Sequence, residues 1–158
     1  MYGQAYLRKG IIPRLNTTLE DYLWLAAQVP EDRLDTVPPG AAGSVRAALL
    51  DLAVDLDTRA YPLLIALVEG QDLPAPLPAE GVARRRTTWA DADLMIAMKQ
   101  IRYRFQATEA LLTDTLDAGW GTAAGAPTPL ALAAFALWRQ LLVRLDVLAT
   151  LVAALYAL

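Results

Sequence analysis

SVRAALLDLAVDLDTRAYPLLIALVEG, residues 44–70, reads as one long helix carrying its own start and stop signals. Ser44 follows the turn residues Pro38, Pro39 and Gly40, and its hydroxyl suits an N-cap that accepts an otherwise orphaned amide. Gly70 suits the C′ position, where a left-handed backbone ends a helix at no steric cost. Val45, Leu49, Leu52, Leu56, Leu63 and Leu67 recur every three or four residues and make a core face. Leu50, Val54, Leu64 and Val68 form a second apolar stripe, well away from the first. A helix with two apolar stripes must bury both, against another element of the bundle or against a partner subunit. Pro62 lies inside this helix and should bend it, because it removes one backbone hydrogen bond and crowds the preceding turn.

Three further helical patterns flank this one. The first opens at Thr17, where Thr17-Thr18-Leu19-Glu20 fits a capping box, and ends near Gln28 before Pro30. Residues 1–15 are expected to form an arm, since Pro13 would interrupt a helix running through them. Gln71 to Pro78 contains three prolines and cannot be helical. The third helix opens at Thr87 or Thr88 and continues to about Leu116, with Leu94, Met98, Ile101, Phe105 and Leu112 on one face. Asp91 and Asp93 suit the positive end of its dipole. The last helix has Thr128 as cap and Pro129 at the first helical position, where a missing amide costs nothing. No strand pattern appears. The expected fold is all-α, a single-domain up-and-down four-helix bundle over residues 1–158.

Composition removes many chemistries. The 158 residues include no histidine and no cysteine, so disulfides, thiol redox chemistry, imidazole bases and the commonest soft metal ligands are absent. The formal net charge of −3 gives no basic field to hold a nucleic-acid backbone. The only basic run, Arg84-Arg85-Arg86, reads as a solvated loop before the third helix. The start lacks the order of a secretion signal and the most apolar stretch, Val147 to Leu158, is too short to cross a bilayer, so the expected setting is the cytoplasm, without membrane contact. Ser44 is already a helix cap, Lys99 reads as solvated, and the Gly119-x-Gly121 pair follows a helix where a phosphate loop would follow a strand.

Two segments carry a resemblance. Val29-Pro30-Glu31-Asp32-Arg33-Leu34-Asp35, followed by Pro38-Pro39-Gly40 and the run from Gly43 to Ala53, resembles the DinB-like (YfiT-like) superfamily in its acidic turn, proline–glycine turn and serine-capped second helix. Gly125 to Arg139 resembles the opening of that family's last helix. The resemblance implies a four-helix bundle whose members typically hold a divalent metal on three histidines, one in the second helix and two spaced four apart in the last. Carried over position by position, to within about one turn, these fall on Asp51, Phe135 and Arg139. Phenylalanine cannot bind a metal and arginine repels one, so the resemblance implies a member that has lost its metal site. No cofactor is then expected, and a non-catalytic role in binding or assembly follows.

The vacated positions leave alternatives open. Asp51 and Arg139 either pair across the bundle interior, with Asp55 and Asp146 extending the network, or lie on helix flanks in solvent. Asp51, Asp55 and Asp57 alternatively offer oxygen ligands for weak magnesium or calcium binding, although Asp57 points away from the other two. Trp24, Trp89, Trp120 and Trp138, with Tyr61, Tyr103 and Phe135, either line an apolar ligand pocket or supply core area. Trp120, in a glycine-rich loop, suits a cap over such a pocket. The competing reading is an enzyme or small-molecule binder using the cavity around Asp51, Phe135, Trp138 and Arg139. A homodimer through the second stripe of the second helix is the expected assembly.

Overall fold

The computed structural model describes residues 7–75, 78–90, 94–115 and 129–157, and within them every regular element is helical. The elements are α1 (Ile12–Ala27), α2 (Val45–Asp55), α3 (Tyr61–Glu69), α4 (Ala79–Ala90), α5 (Leu94–Thr115) and α6 (Pro129–Tyr156). Wide π turns at Leu7–Ile11 and Leu56–Ala60 lead directly into α1 and α3. No described helix is long and apolar enough to cross a membrane.

The stop and start signals of the second helix act as read. The Ser44 hydroxyl accepts the amide of Ala47 at 3.2 Å, and Gly70 takes the left-handed conformation at φ 65°. The proline signal resolves differently. Tyr61 donates its amide to the Leu56 carbonyl, five residues back, and this π turn shifts the hydrogen-bond register just ahead of Pro62. Pro62 then lies in the first turn of α3, where its fixed φ suits a helix start. Pro13 lies in the same place after the first π turn.

That repeated device corrects the expected N-terminal arm. Residues 7–16 are helical, and Thr17 and Thr18 do not cap a helix start: their hydroxyls donate to the carbonyls of Pro13 and Arg14, four residues back. Similarly, the third helical region begins at Ala79 and not at Thr87, whose hydroxyl donates to the Ala83 carbonyl inside α4. Arg84-Arg85-Arg86 therefore belongs to a helix, where Arg84 is exposed near Glu80. Pro129 opens α6 as expected. Asp91, Asp93, Trp120, Thr128 and the Gly119-x-Gly121 pair lie outside the described residues, as do the side chains of Trp89 and Leu94.

α1 packs against α5 and α6, and so does the α2–α3 rod, around a core that includes Tyr22, Leu49, Leu52, Ile101, Leu112 and Leu148. Each of these is at most 2% exposed, and burying one such aliphatic side chain is worth about 2 kcal/mol. The expected core face of the third helix is observed in Ile101, Phe105 and Leu112. Three cross-bundle contacts fix the relative sense of the first and last helices. The Tyr22 hydroxyl donates to the Leu141 carbonyl at 2.6 Å, Arg33 donates to the Leu155 carbonyl, and the Tyr156 hydroxyl donates to the Gln28 carbonyl. Residue numbers rise together along both helices, so α1 and α6 are parallel. In a four-helix up-and-down bundle they would be antiparallel.

The second stripe of the second helix is covered from within the chain. Leu50, Val54 and Leu64 are buried, and α4 packs along α2. The stripe therefore gives no reason to invoke a partner subunit.

Candidate functional site

The second helix places its acidic residues on two sides. Asp51 and Asp55 are one turn apart on α2 and face α6, whereas Asp57, on the π turn, faces α5. The difference follows from spacing: positions four apart share a face and positions two apart do not.

On the α6 side, Asp55 is the hub. Arg59 grips its carboxylate bidentately, with Nε at 2.7 Å and Nη2 at 2.8 Å, and the same Nη2 donates to Gln140 Oε1 at 2.6 Å. Arg144 Nη2 lies 3.4 Å from Asp55 Oδ2, the oxygen that also accepts from Arg59 Nη2. The bond to Asp55 raises the pKa of Arg59, its largest cause, and keeps this guanidinium charged. Asp55, Arg59, Arg144 and Gln140 thus link the second helix to the last across a seam whose partners remain partly solvated. Such linkages define geometry more than they stabilise.

Two cavities flank this link. The larger, of about 520 Å³, is lined by Asp51, Asp55, Arg59 and Arg144 together with Val54, Thr58, Leu63, Pro74, Ala75 and Val82. The smaller, of about 190 Å³, lies between α2 and α6 among Tyr22, Leu49, Asp51, Val143 and Arg144. Tyr22 is buried beneath it, and burial pushes its phenol pKa up; Asp146 adds to the rise and Arg144 opposes it. At neutral pH Tyr22 is therefore a hydrogen-bond donor fixed on Leu141.

Each expected site residue takes a definite place. Asp51 and Asp55 line the large cavity. Arg139 is exposed and borders an open groove with Asp55, Arg59, Gln140, Val143 and Arg144, a groove that Asp51 does not line. Asp146 is exposed. Phe135 is 41% exposed and meets Trp138 edge-on at 5.9 Å. Trp138 is half-buried beneath the Arg14 guanidinium at 5.0 Å. These last positions sit at the surface and along the flank of α6, and the residues that face α2 are Gln140 and Arg144. The offset from 135 and 139 is five residues, about 1.4 helical turns, which puts the two pairs on different faces. The α6 pair facing Asp55 and Asp51 thus keeps the spacing of four but not the expected register.

Arg59, Gln140 and Arg144 were not singled out from sequence. The i,i+4 pair of Asp55 and Arg59 carried a usable signal; the cross-helix partners did not. Of the aromatics, Trp24 is 63% and Tyr103 59% exposed, so neither supplies core area. Among the described residues no three aspartate or glutamate side chains gather as a metal ion would require, which removes the Asp51, Asp55 and Asp57 arrangement. Asp57 instead pairs with Arg104, whose guanidinium lies 5.1 Å from the Tyr61 ring and 5.6 Å from the Tyr103 ring.

No family model, curated protein or solved structure matches the chain.

Proposed function

We propose that the protein is a non-catalytic, DinB-like bundle in which an ion-paired clamp stands where members of that family hold a metal, and that the adjoining cavity binds a small molecule. The observation that carries this reading is the mixed lining of the large cavity. Charged groups of both signs and aliphatic side chains line the same space. Such a lining fits a ligand with an apolar body and a charged end, oriented by the charged groups. Support for the clamp comes from Gln140 and Arg144, which repeat the spacing of four expected of the family's last-helix ligands and face the aspartates of α2. A chain without imidazole or thiolate has few routes to catalysis here, so binding is the role the lining suits.

The test is a panel of small amphiphilic acids, amines and zwitterions, scored by the rise in melting temperature of the purified protein. A binder should stabilise the wild type in proportion to its concentration and fail on Val82→Trp, which crowds the cavity. A panel without binders, or a binder that stabilises Val82→Trp equally, removes the cavity as the site. Elemental analysis addresses the clamp separately: stoichiometric, tightly held zinc, nickel or iron would overturn the loss of the metal.

A further inference from the structure

The longest helix leaves an unusual face uncovered. Along α6, Leu132, Phe135, Val143 and Val147 are all between 41% and 62% exposed, and they share one side of the helix with Arg139 and Asp146. This stripe spans 16 residues, about 22 Å from end to end at helical rise. Arg139 and Asp146 are opposite charges two turns apart, and among the described residues neither side chain forms an ion pair.

We propose that this face binds a second copy of the chain, through antiparallel apposition of two α6 helices about a two-fold axis beside Val143. The charge order selects that occupant. A surface that meets itself around a two-fold axis must be complementary to its own reverse. Reversing α6 about the midpoint between Leu142 and Val143 brings Arg139 over the partner's Asp146, and Asp146 over the partner's Arg139. The sizes match under the same operation. Phe135 falls opposite the partner's Thr150 and Leu132 opposite the partner's Ala153, so a large side chain meets a small exposed one in each case. Val143 supplies the apolar centre. A parallel pairing would instead set Arg139 on arginine and Asp146 on aspartate. The interface covers the open groove beside Arg139 and Gln140, whereas neither Arg139 nor Asp146 lines the large cavity. It is independent of whether that cavity binds anything.

Sedimentation velocity on the full chain tests the pairing. The wild type is expected to dimerise at micromolar concentration. Arg139→Glu and Asp146→Lys each replace two attractive contacts by two like-charge ones, and each should weaken self-association by at least about tenfold. Mixing the two single variants restores complementarity at both contacts, so the mixture should dimerise while each variant alone stays monomeric. Both residues are exposed, and circular dichroism should show unchanged helicity. A wild type that is monomeric throughout this range, single variants that dimerise as well as the wild type, or a mixture no more associated than its components would each overturn the proposal.

Discussion

Asp55 and Asp57 stand on either side of Leu56, at the start of the same wide turn, and each meets arginine from another helix, yet the two surroundings have little in common. The Asp57 side chain is only 13% exposed, and its partner Arg104 is 27% exposed with an aromatic ring on each flank. Asp55 is 21% exposed but shares its charge between Arg59 and Arg144, which are 49% and 38% exposed, and it borders open cavities. A carboxylate closed in with its partner holds helices together, because removing either member strands a charge away from water. A carboxylate shared among solvated arginines beside empty space is poorly used as a fastener and well placed as a recognition element. Two residues of chain separate these surroundings, and that spacing along a helix is what turns the two side chains apart.

The largest expected effect falls on the closed side. Asp57→Ala should cost about 3 kcal/mol, as deletion of one member of a mostly buried pair does, read as a lower denaturant midpoint with unchanged slope. A loss below about 1 kcal/mol would put Asp57 in the same class as Asp55 and dissolve the contrast. The next effect comes from Tyr22, the buried hydroxyl behind Arg144. Tyr22→Phe removes its bond to Leu141 and should cost about 1 kcal/mol at neutral pH. Its pH dependence has a definite sign. The folded state holds the Tyr22 proton more tightly than the unfolded chain, whose tyrosines lose theirs near pH 10. Above that value the unfolded state therefore binds fewer protons and stability falls as pH rises. Denaturant melts at neutral and alkaline pH should show a shallower fall for Tyr22→Phe than for the wild type. Equal slopes would mean that Tyr22 titrates normally and is not sealed beneath the small cavity.

Much of this architecture could be read from local chemistry. Ser44, Gly70 and Pro129 mark helix ends because a cap, a left-handed backbone and an unneeded amide are decided by one or two residues. The first helix was misread at Thr17 because the same hydroxyl that caps a helix start can bond back to a carbonyl four residues earlier. α4 was missed because its arginine run looks solvated whether or not the backbone is helical, and only the covered stripe of Leu50 and Val54 shows that something lies over α2. The aspartates of the candidate site were legible as an i,i+4 pair on one helix. Their partners on α6 depend on the rotation of a helix far away in sequence, and an offset of about 1.4 turns separates Gln140 and Arg144 from Phe135 and Arg139.

The smallest effect on stability is the most informative about function. Asp55→Asn keeps the size and two of the acceptor positions of the side chain while removing its charge. Arg59 and Arg144 are both more than a third exposed, so water takes over much of what the carboxylate supplies, and the change in stability should stay within about 1 kcal/mol. The charge pattern of the cavity wall changes fully, however: two arginines then face the cavity with Asp51 as the remaining carboxylate. A ligand whose charged end is cationic should lose affinity, and one whose end is anionic should gain it, while Asp57→Asn, on the far side of the turn, should alter neither. Titration of both variants with one ligand of each charge separates the roles directly. Affinity that follows stability across the two variants would mean that Asp55 acts only as a fastener; affinity that follows the sign of the ligand would assign the arginine–aspartate wall to recognition.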